Sequence, residues 1–427
     1  MSSKRTLNVD VVVIGGGPAG STAAAHLARS GRRVLVLEKD KFPRYQIGES
    51  LLPYCYFPLE RLGVLERMKS PRFQKKYAVQ FVTPEGRASS PFHFSQHFDH
   101  EASMTWQVER SEFDRMLLEN AREMGADVMQ ETQVVDLVRL DGKVSGVTAN
   151  PRTDGGEPFE VRAPMTIDAS GRQALAIARN NWRRWEPGLN KTAIWTYFKG
   201  AVREKGKDEG TTTIAYLPEK GWFWYIPLPD DVVSVGVVAE RDYLFGQTNR
   251  LSDVFRREVG KNPWIEERLA TGRQYGKYHV TKEYSYCSEH CGEDGLVLVG
   301  DAFLFLDPVF ASGVYFALRG GELAAAVVDR ALAENDVGAE RLTEYSEQIL
   351  REVEPMRQLV YAFYDQMFSV KALAKKHPDV MSAWTDVLIG NLDKDFTKLF
   401  AAIGEQATLP AQLSCGRPLA SPKSAIE

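Results

Sequence analysis

The chain has 427 residues, 44% of them hydrophobic and 26% charged, with a net charge of −4. That composition excludes a disordered chain and leaves room for two or three domains at about 150 residues each. The weak negative balance, with no dominant basic block, excludes a nucleic-acid grip built from many phosphate contacts, and the four cysteines are too few for a disulfide scaffold.

Residues 8–14 are a β-branched run and predict a buried strand. The loop Gly15-Gly16-Gly17-Pro18-Ala19-Gly20 follows, and the alanine-rich stretch 20–30 predicts a helix ending near Gly31. Val34–Leu37 predicts the next strand, with Glu38 at its end, completing a βαβ opening. Stretches 60–70 and 110–124 read as helices. Residues 134–140 and 143–149, joined by Asp141-Gly142, read as a hairpin. Another strand runs into Asp168-Ala169-Ser170-Gly171. From about 187 to 285 strands dominate, at 193–198, 211–217, 222–227 and 232–239. A buried strand returns at 296–299, a long helix covers 313–333, residues 342–404 are mostly helical, and 409–427 read as a loose end. No apolar run is long enough to span a bilayer, so a cytoplasmic protein without stable membrane association is expected.

The glycine loop carries the first chemistry. Gly15 permits a tight turn, Gly17 lets backbone approach a pyrophosphate, and Gly20 lets helix and strand pack closely. Glu38 lies 18 residues beyond Gly20, near the spacing of a ribose-binding carboxylate. Three further motifs follow in order: Arg110 ahead of Phe113-Asp114, Asp168-Ala169-Ser170-Gly171-Arg172, and Val299-Gly300-Asp301-Ala302. Together they resemble the FAD-binding fold of the p-hydroxybenzoate hydroxylase class over about residues 8–345. The fold expected is α/β with an α+β insert. It has a Rossmann-like FAD-binding domain at 1–186 and 286–345, a β-rich substrate domain at 187–285, and a helical C-terminal region at 346–427. The resemblance implies a cofactor-binding set of Gly15, Gly17, Ala19, Gly20, Glu38, Arg44, Glu49, Ser50, Arg110, Val134, Asp301, Pro308 and Gly313, with Asp301 on the ribityl chain. No second Gly-x-Gly-x-x-Gly opens a βαβ unit. The flavin must therefore be reduced by transiently bound NAD(P)H or by a separate NAD(P)H-dependent flavin reductase.

Four motifs narrow the chemistry. Trp222-Phe223-Trp224-Tyr225-Ile226-Pro227 fits the Trp-x-Trp-x-Ile-Pro pattern of flavin-dependent halogenases. Phe42-Pro43-Arg44 leads to Gly48-Glu49-Ser50-Leu51-Leu52-Pro53, which is similar to the halogenases and, less specifically, to geranylgeranyl reductases. Lys76, in Lys75-Lys76-Tyr77-Ala78, matches the catalytic lysine of the phenol and pyrrole type, with Ala78 in place of glycine. Asp307-Pro308-Val309-Phe310-Ala311-Ser312-Gly313 resembles the loop of the same halogenases. The resemblance implies a halide held by backbone N–H groups of Ser312 and Gly313, and a pocket walled by Trp222, Trp224 and Phe310. Reduced FAD and oxygen would form a C4a-hydroperoxide that oxidises chloride or bromide to hypohalous acid. Lys76 would relay it, by hydrogen bond or as a haloamine, to a phenol or pyrrole that is free or bound to an acyl- or peptidyl-carrier protein. Phe310 stands where tryptophan halogenases carry a catalytic glutamate, so that subgroup fits poorly. The alternative is a flavin monooxygenase or geranylgeranyl-reductase-like enzyme without halide chemistry.

Two weaker features remain. His93, His97 and His100 have helical spacing, but no cysteine or acidic pair completes a metal site, and no metal is expected. Cys287 and Cys291 are too far apart for a Cys-x-x-Cys pair, and Cys55 and Cys415 suggest no framework.

Overall fold

The computed structural model describes residues 5–153, 155–218, 221–365 and 367–420. Four strands, Val11–Ile14, Val34–Leu37, Met165–Asp168 and Leu296–Leu298, are buried at every residue. Such continuous apolar runs belong to parallel strands covered on both faces. They form the centre of a seven-stranded sheet, ordered Arg417–Leu419, His290–Glu293, Leu296–Leu298, Met165–Asp168, Val11–Ile14, Val34–Leu37, Asp127–Met129. The helices Pro18–Arg29, Arg110–Glu123 and Gly313–Ala333 pack together on it. Gly20 is required by close approach: a Cβ there would sit 2.0 Å from the Gly15 carbonyl oxygen. The hairpin of Thr132–Leu140 and Lys143–Pro151 lies in a separate four-stranded sheet. Its turn has φ +50° at Asp141 and +81° at Gly142, as an Asp-Gly hairpin turn requires.

The second large sheet has eight strands and is antiparallel except where Thr212–Tyr216 runs parallel to Ala78–Val82. Its strands are Leu304–Phe305, Arg273–Ser288, Arg183–Lys199, Val232–Glu240, Trp222–Pro227, Thr212–Tyr216, Ala78–Val82 and Phe92–His93. Trp222–Pro227 is buried throughout, and its alternation explains why. Phe223 and Tyr225 face a core closed by Phe255 and Trp264, while Trp222, Trp224 and Ile226 face the other way. Gly236, paired with Trp224, leaves room for the indole; a Cβ there would lie 2.1 Å from it.

The tail is helical over Thr343–Tyr364, Val370–Lys376, Met381–Ile389 and Thr397–Gly404. The end is not loose as far as it is described, and residues 421–427 lie outside the described residues. Arg417–Leu419 pairs in parallel with His290–Glu293 at the sheet edge, and a disulfide joins Cys415 to Cys287. Chain spacing could not show this bridge, because its partners are 128 residues apart and meet only through the fold. Cys55 and Cys291 are free and buried.

The three histidines do not share a helical face. His93 ends a short strand and bonds Asp208 at 2.7 Å, His97 bonds Asp386 at 2.9 Å, and His100 accepts the Ala102 N–H at 3.0 Å. Among the described residues no group of three or more His, Cys, Asp or Glu could hold a metal ion, and no helix is long and apolar enough to cross a membrane.

Candidate active site

A cavity of about 420 Å3 runs from the end of the strand Val34–Leu37 to the aromatic strand Trp222–Pro227. At its near end lie Gly15, Gly17, Ala19, Glu38, Arg44 and Val134. Gly15 takes φ +100°, which turns the chain between strand and helix. Pro18 opens the helix, so the N-terminal amides and the positive end of the helix dipole face this cavity. Glu38 is buried; its Oε2 accepts the Gly16 N–H at 2.7 Å and its Oε1 the Asp40 N–H at 2.9 Å. Gly17 is open except toward Arg44, whose guanidinium also meets Asp114 at 3.1 Å. Gly20 supports this end from below without lining it.

Arg110, Asp301, Pro308 and Gly313 line the middle. Arg110 forks onto Asp114 at 2.8 and 3.0 Å and donates to the Ile47 carbonyl at 2.6 Å. Asp301 differs. Burial pushes its carboxyl up to about 6, offset only by the charges of Arg172 and Arg110, and no described residue donates a hydrogen bond to it. A half-buried carboxyl without donors, beside an open amide-lined trough, fits a polyol chain and pyrophosphate: the residues present suit FAD.

At the far end Glu49, Ser50, Trp222, Trp224 and Thr212 line the cavity. Lys76 lies one side chain behind this wall. Its Nζ donates to Ser50 Oγ at 2.8 Å and to the Leu51 carbonyl at 3.1 Å, and Ser50 Oγ meets Thr212 Oγ1 at 3.0 Å. Lys76 is 4% exposed, and burial brings its ammonium down to about 7, countered only by the Cys55 thiol. Lys191, equally buried, has Glu240 at 3.4 Å. Glu49 is pushed up to about 7 by burial, opposed by Ser234, Tyr197 and Arg110.

The loop Pro308–Phe310 is a single 3-10 turn that Asp307 caps by accepting the Val309 N–H at 3.0 Å. Ala311 then takes the left-handed φ of +55°, which redirects the chain into the helix that starts at Gly313. Ala311 and Gly313 line the cavity, whereas Ser312 and Phe310 are buried off its wall. Phe310 packs edge-on against Phe363, 5.7 Å between ring centres.

Some participants carry no signal in the sequence motifs. Tyr364 accepts from Trp222 Nε1 at 2.9 Å and donates to Asp307 Oδ2 at 2.9 Å, tying the tail helix to both halogenase-like motifs. The aromatic residues at 361–368 read most simply as core packing, with a pocket wall as the alternative, and only the fold separates Tyr364 from the rest. Thr212, Gln107 and Tyr197 were likewise invisible. Gln107 donates to Thr212 Oγ1 at 2.7 Å, behind Ser50.

Comparison with known proteins agrees with this geometry. The sequence model of the family described as tryptophan halogenase matches residues 10–100 and 82–372. The chain is 31% identical over 378 residues to a 1H-pyrrole-2-carbonyl-(peptidyl-carrier protein) chlorinase of Pseudomonas fluorescens, covering 83% of each chain. It is 34% identical over 330 residues to the corresponding brominase of Pseudoalteromonas luteoviolacea, covering 77% of this chain and 79% of the relative. Among solved structures, the flavin-dependent brominase Bmp2 superposes with a TM-score of 0.84 at 28% identity, over 93% of this chain and 98% of the other. The chain therefore belongs to the tryptophan halogenase family and is a flavin-dependent halogenase, an oxidoreductase that uses reduced FAD, oxygen and chloride or bromide.

Proposed function

We propose that this enzyme halogenates an electron-rich aromatic ring, a pyrrole or phenol presented on a carrier protein or free, and that Lys76 delivers the oxidised halogen. Lys76 carries the reading. A lysine buried without a carboxylate is costly, and such a residue beside a cavity marks function more often than packing. The names of the two pyrrolyl-carrier relatives support the substrate class.

FAD would lie along the cavity, with Gly15, Gly17 and Ala19 at its pyrophosphate, Glu38 and Val134 toward the adenosine, Arg44 and Arg110 alongside, and Asp301 at the ribityl chain. Bound as reduced FAD, the group supplies with oxygen a two-electron oxidant for halide. The residues at the ring end do the rest. Gly313 and Ser312 offer helix N-terminal amides to a halide, with Pro308 setting the turn. Trp222 and Trp224 fill the space through which an organic substrate would otherwise reach the flavin. Ser50 Oγ accepts a hydrogen bond from Lys76 Nζ and orients it at the wall. Near its midpoint at neutral pH, Lys76 offers both an N–H donor and an amine lone pair to the oxidised halogen. The enzyme takes its reduced flavin from a separate NAD(P)H-dependent reductase.

The test supplies reduced FAD, oxygen and bromide to the full chain with phenols and with pyrrolyl thioesters on a carrier protein. Mass spectrometry should find a brominated product with wild type and at least about 100-fold less with Lys76→Met at equal FAD affinity. Equal product from both proteins would remove Lys76 from the mechanism.

A further inference from the structure

Halogenation consumes a proton from the medium. An aromatic C–H, a halide, neutral reduced FAD and oxygen yield the C–halogen bond, FAD and two waters only if one proton is added. The cavity is walled by Trp222, Trp224, Ile226 and Ile214 at the ring end, so that proton needs a polar route. A run of hydroxyls leads in from Tyr45. Tyr45 is 49% exposed; its hydroxyl lies 2.9 Å from that of Tyr197, and Tyr197 donates to Glu49 Oε1 at 2.8 Å. Glu49 lines the cavity, and its Oε2 has no hydrogen-bond partner.

The direction of the run follows from counting protons. Each tyrosine hydroxyl has one hydrogen. Tyr197 spends its hydrogen on Glu49, so Tyr45 must donate to Tyr197. Trp195 Nε1, which can only donate, fills one Tyr45 lone pair at 2.6 Å. His279 stacks on Tyr45 at 4.5 Å and on Trp195 at 5.1 Å and holds both rings in place. Every hydrogen bond therefore points inward, and Tyr45 can take the next proton from water.

We propose that Tyr45, Tyr197 and Glu49 form a proton path from solvent to the ring end of the flavin cavity, with Glu49 as the terminal donor. The path rests on the reading that this cavity holds FAD. Glu49 faces Tyr197, Ser234, Arg110 and Glu109, and burial outweighs the rest, so its carboxyl titrates near neutrality and can both give and regain a proton. Burial holds both tyrosines neutral, as hydroxyl relays must be. In each passage one O–H bond forms on Glu49 as the Tyr197 O–H breaks, and Tyr197 and Tyr45 are refilled in turn; no electrons move.

Two measurements test the path. In weak buffer, an indicator dye follows proton uptake during one turnover of the FAD-loaded chain. In FAD-free protein, infrared spectroscopy follows hydrogen–deuterium exchange of the Glu49 carboxyl band, identified by its loss in Glu49→Gln. Tyr197→Phe and Tyr45→Phe should each slow uptake roughly tenfold at unchanged FAD affinity, with partial rescue by imidazolium, and should slow the carboxyl exchange. Wild-type rates of both uptake and exchange in these variants would overturn the proposal. Should Tyr197→Phe fail to fold, the half-exposed Tyr45→Phe decides alone. Failure of wild type to bind FAD would sink the cavity assignment instead, and the infrared exchange would still judge the path.

Discussion

The two ends of the cavity are built in different ways. At the Gly15–Glu38 end the functional atoms are mainly backbone amides and one acid from a βαβ unit of adjacent elements, with Arg44 and Val134 beside them. At the Lys76 end they are side chains from five separate segments: Glu49 and Ser50, Lys76, Thr212, Trp222, and Tyr364. The first end binds through geometry that glycine permits. The second holds ionisable groups out of water, where their protonation balances near neutral pH. Binding and chemistry are therefore separable here by mutation.

The largest separation should come from Lys76→Met against Gly20→Val. Lys76→Met should cut product formation by about 10²–10⁴-fold while FAD affinity, read by fluorescence titration, stays within twofold or so. Gly20→Val should do the reverse, because its side chain would drive into the Gly15 carbonyl and Ala169. We expect a loss of about 1–3 kcal/mol in denaturant unfolding and a collapse of FAD binding. If Lys76→Met loses FAD as well, the two ends are one unit and the contrast fails.

A second difference should appear in stability against pH, measured on the FAD-free protein. Lys76 falls from 10.5 to about 7 on folding. Between those values the unfolded chain binds more protons, so this group makes stability rise with pH from about 7 to 10.5. Glu49 rises from 4.5 to about 7, so the folded chain binds more protons there and stability falls with pH across that window. Lys76→Met should flatten the upper slope and Glu49→Gln the lower one. A Lys76→Met profile parallel to wild type above pH 7 would mean that the amine is solvated after all.

The same contrast explains what the sequence disclosed. The βαβ opening, the hairpin at Asp141-Gly142 and the helix Gly313–Ala333 follow from local periodicity and turn chemistry, and the structure has them. The alternation in Trp222–Pro227 marks a strand, though not which indoles would face the cavity; that depends on Phe255 and Trp264 covering the other side. Lys76 was legible only through its resemblance to a motif, since a Lys-Lys pair by itself reads as a solvated surface. The strand at Arg417–Leu419, the Cys287–Cys415 bridge and Tyr364 were illegible, because each is defined by a partner more than fifty residues away.

Tyr364 offers the smallest and most discriminating test. It belongs to the tail, yet its hydroxyl joins the indole of Trp222 to the carboxyl of Asp307, whose loop leads into the Gly313 helix. Burial pushes Asp307 up to about 6, and the Tyr364 hydroxyl opposes that shift. Tyr364→Phe keeps the ring, including its place under Lys191 Nζ at 4.5 Å, and removes only the bridging oxygen. The loss should be about 1 kcal/mol of stability, the net worth of a buried hydrogen bond. FAD affinity should not change, since Tyr364 lies outside the cavity lining. The effect should fall on coupling: with Trp222 and the halide loop no longer fixed to each other, a few-fold more peroxide should escape per product formed, read with a peroxidase assay. Unchanged coupling would show that strand pairing alone positions Trp222, and that the tail helix covers the ring end without adjusting it.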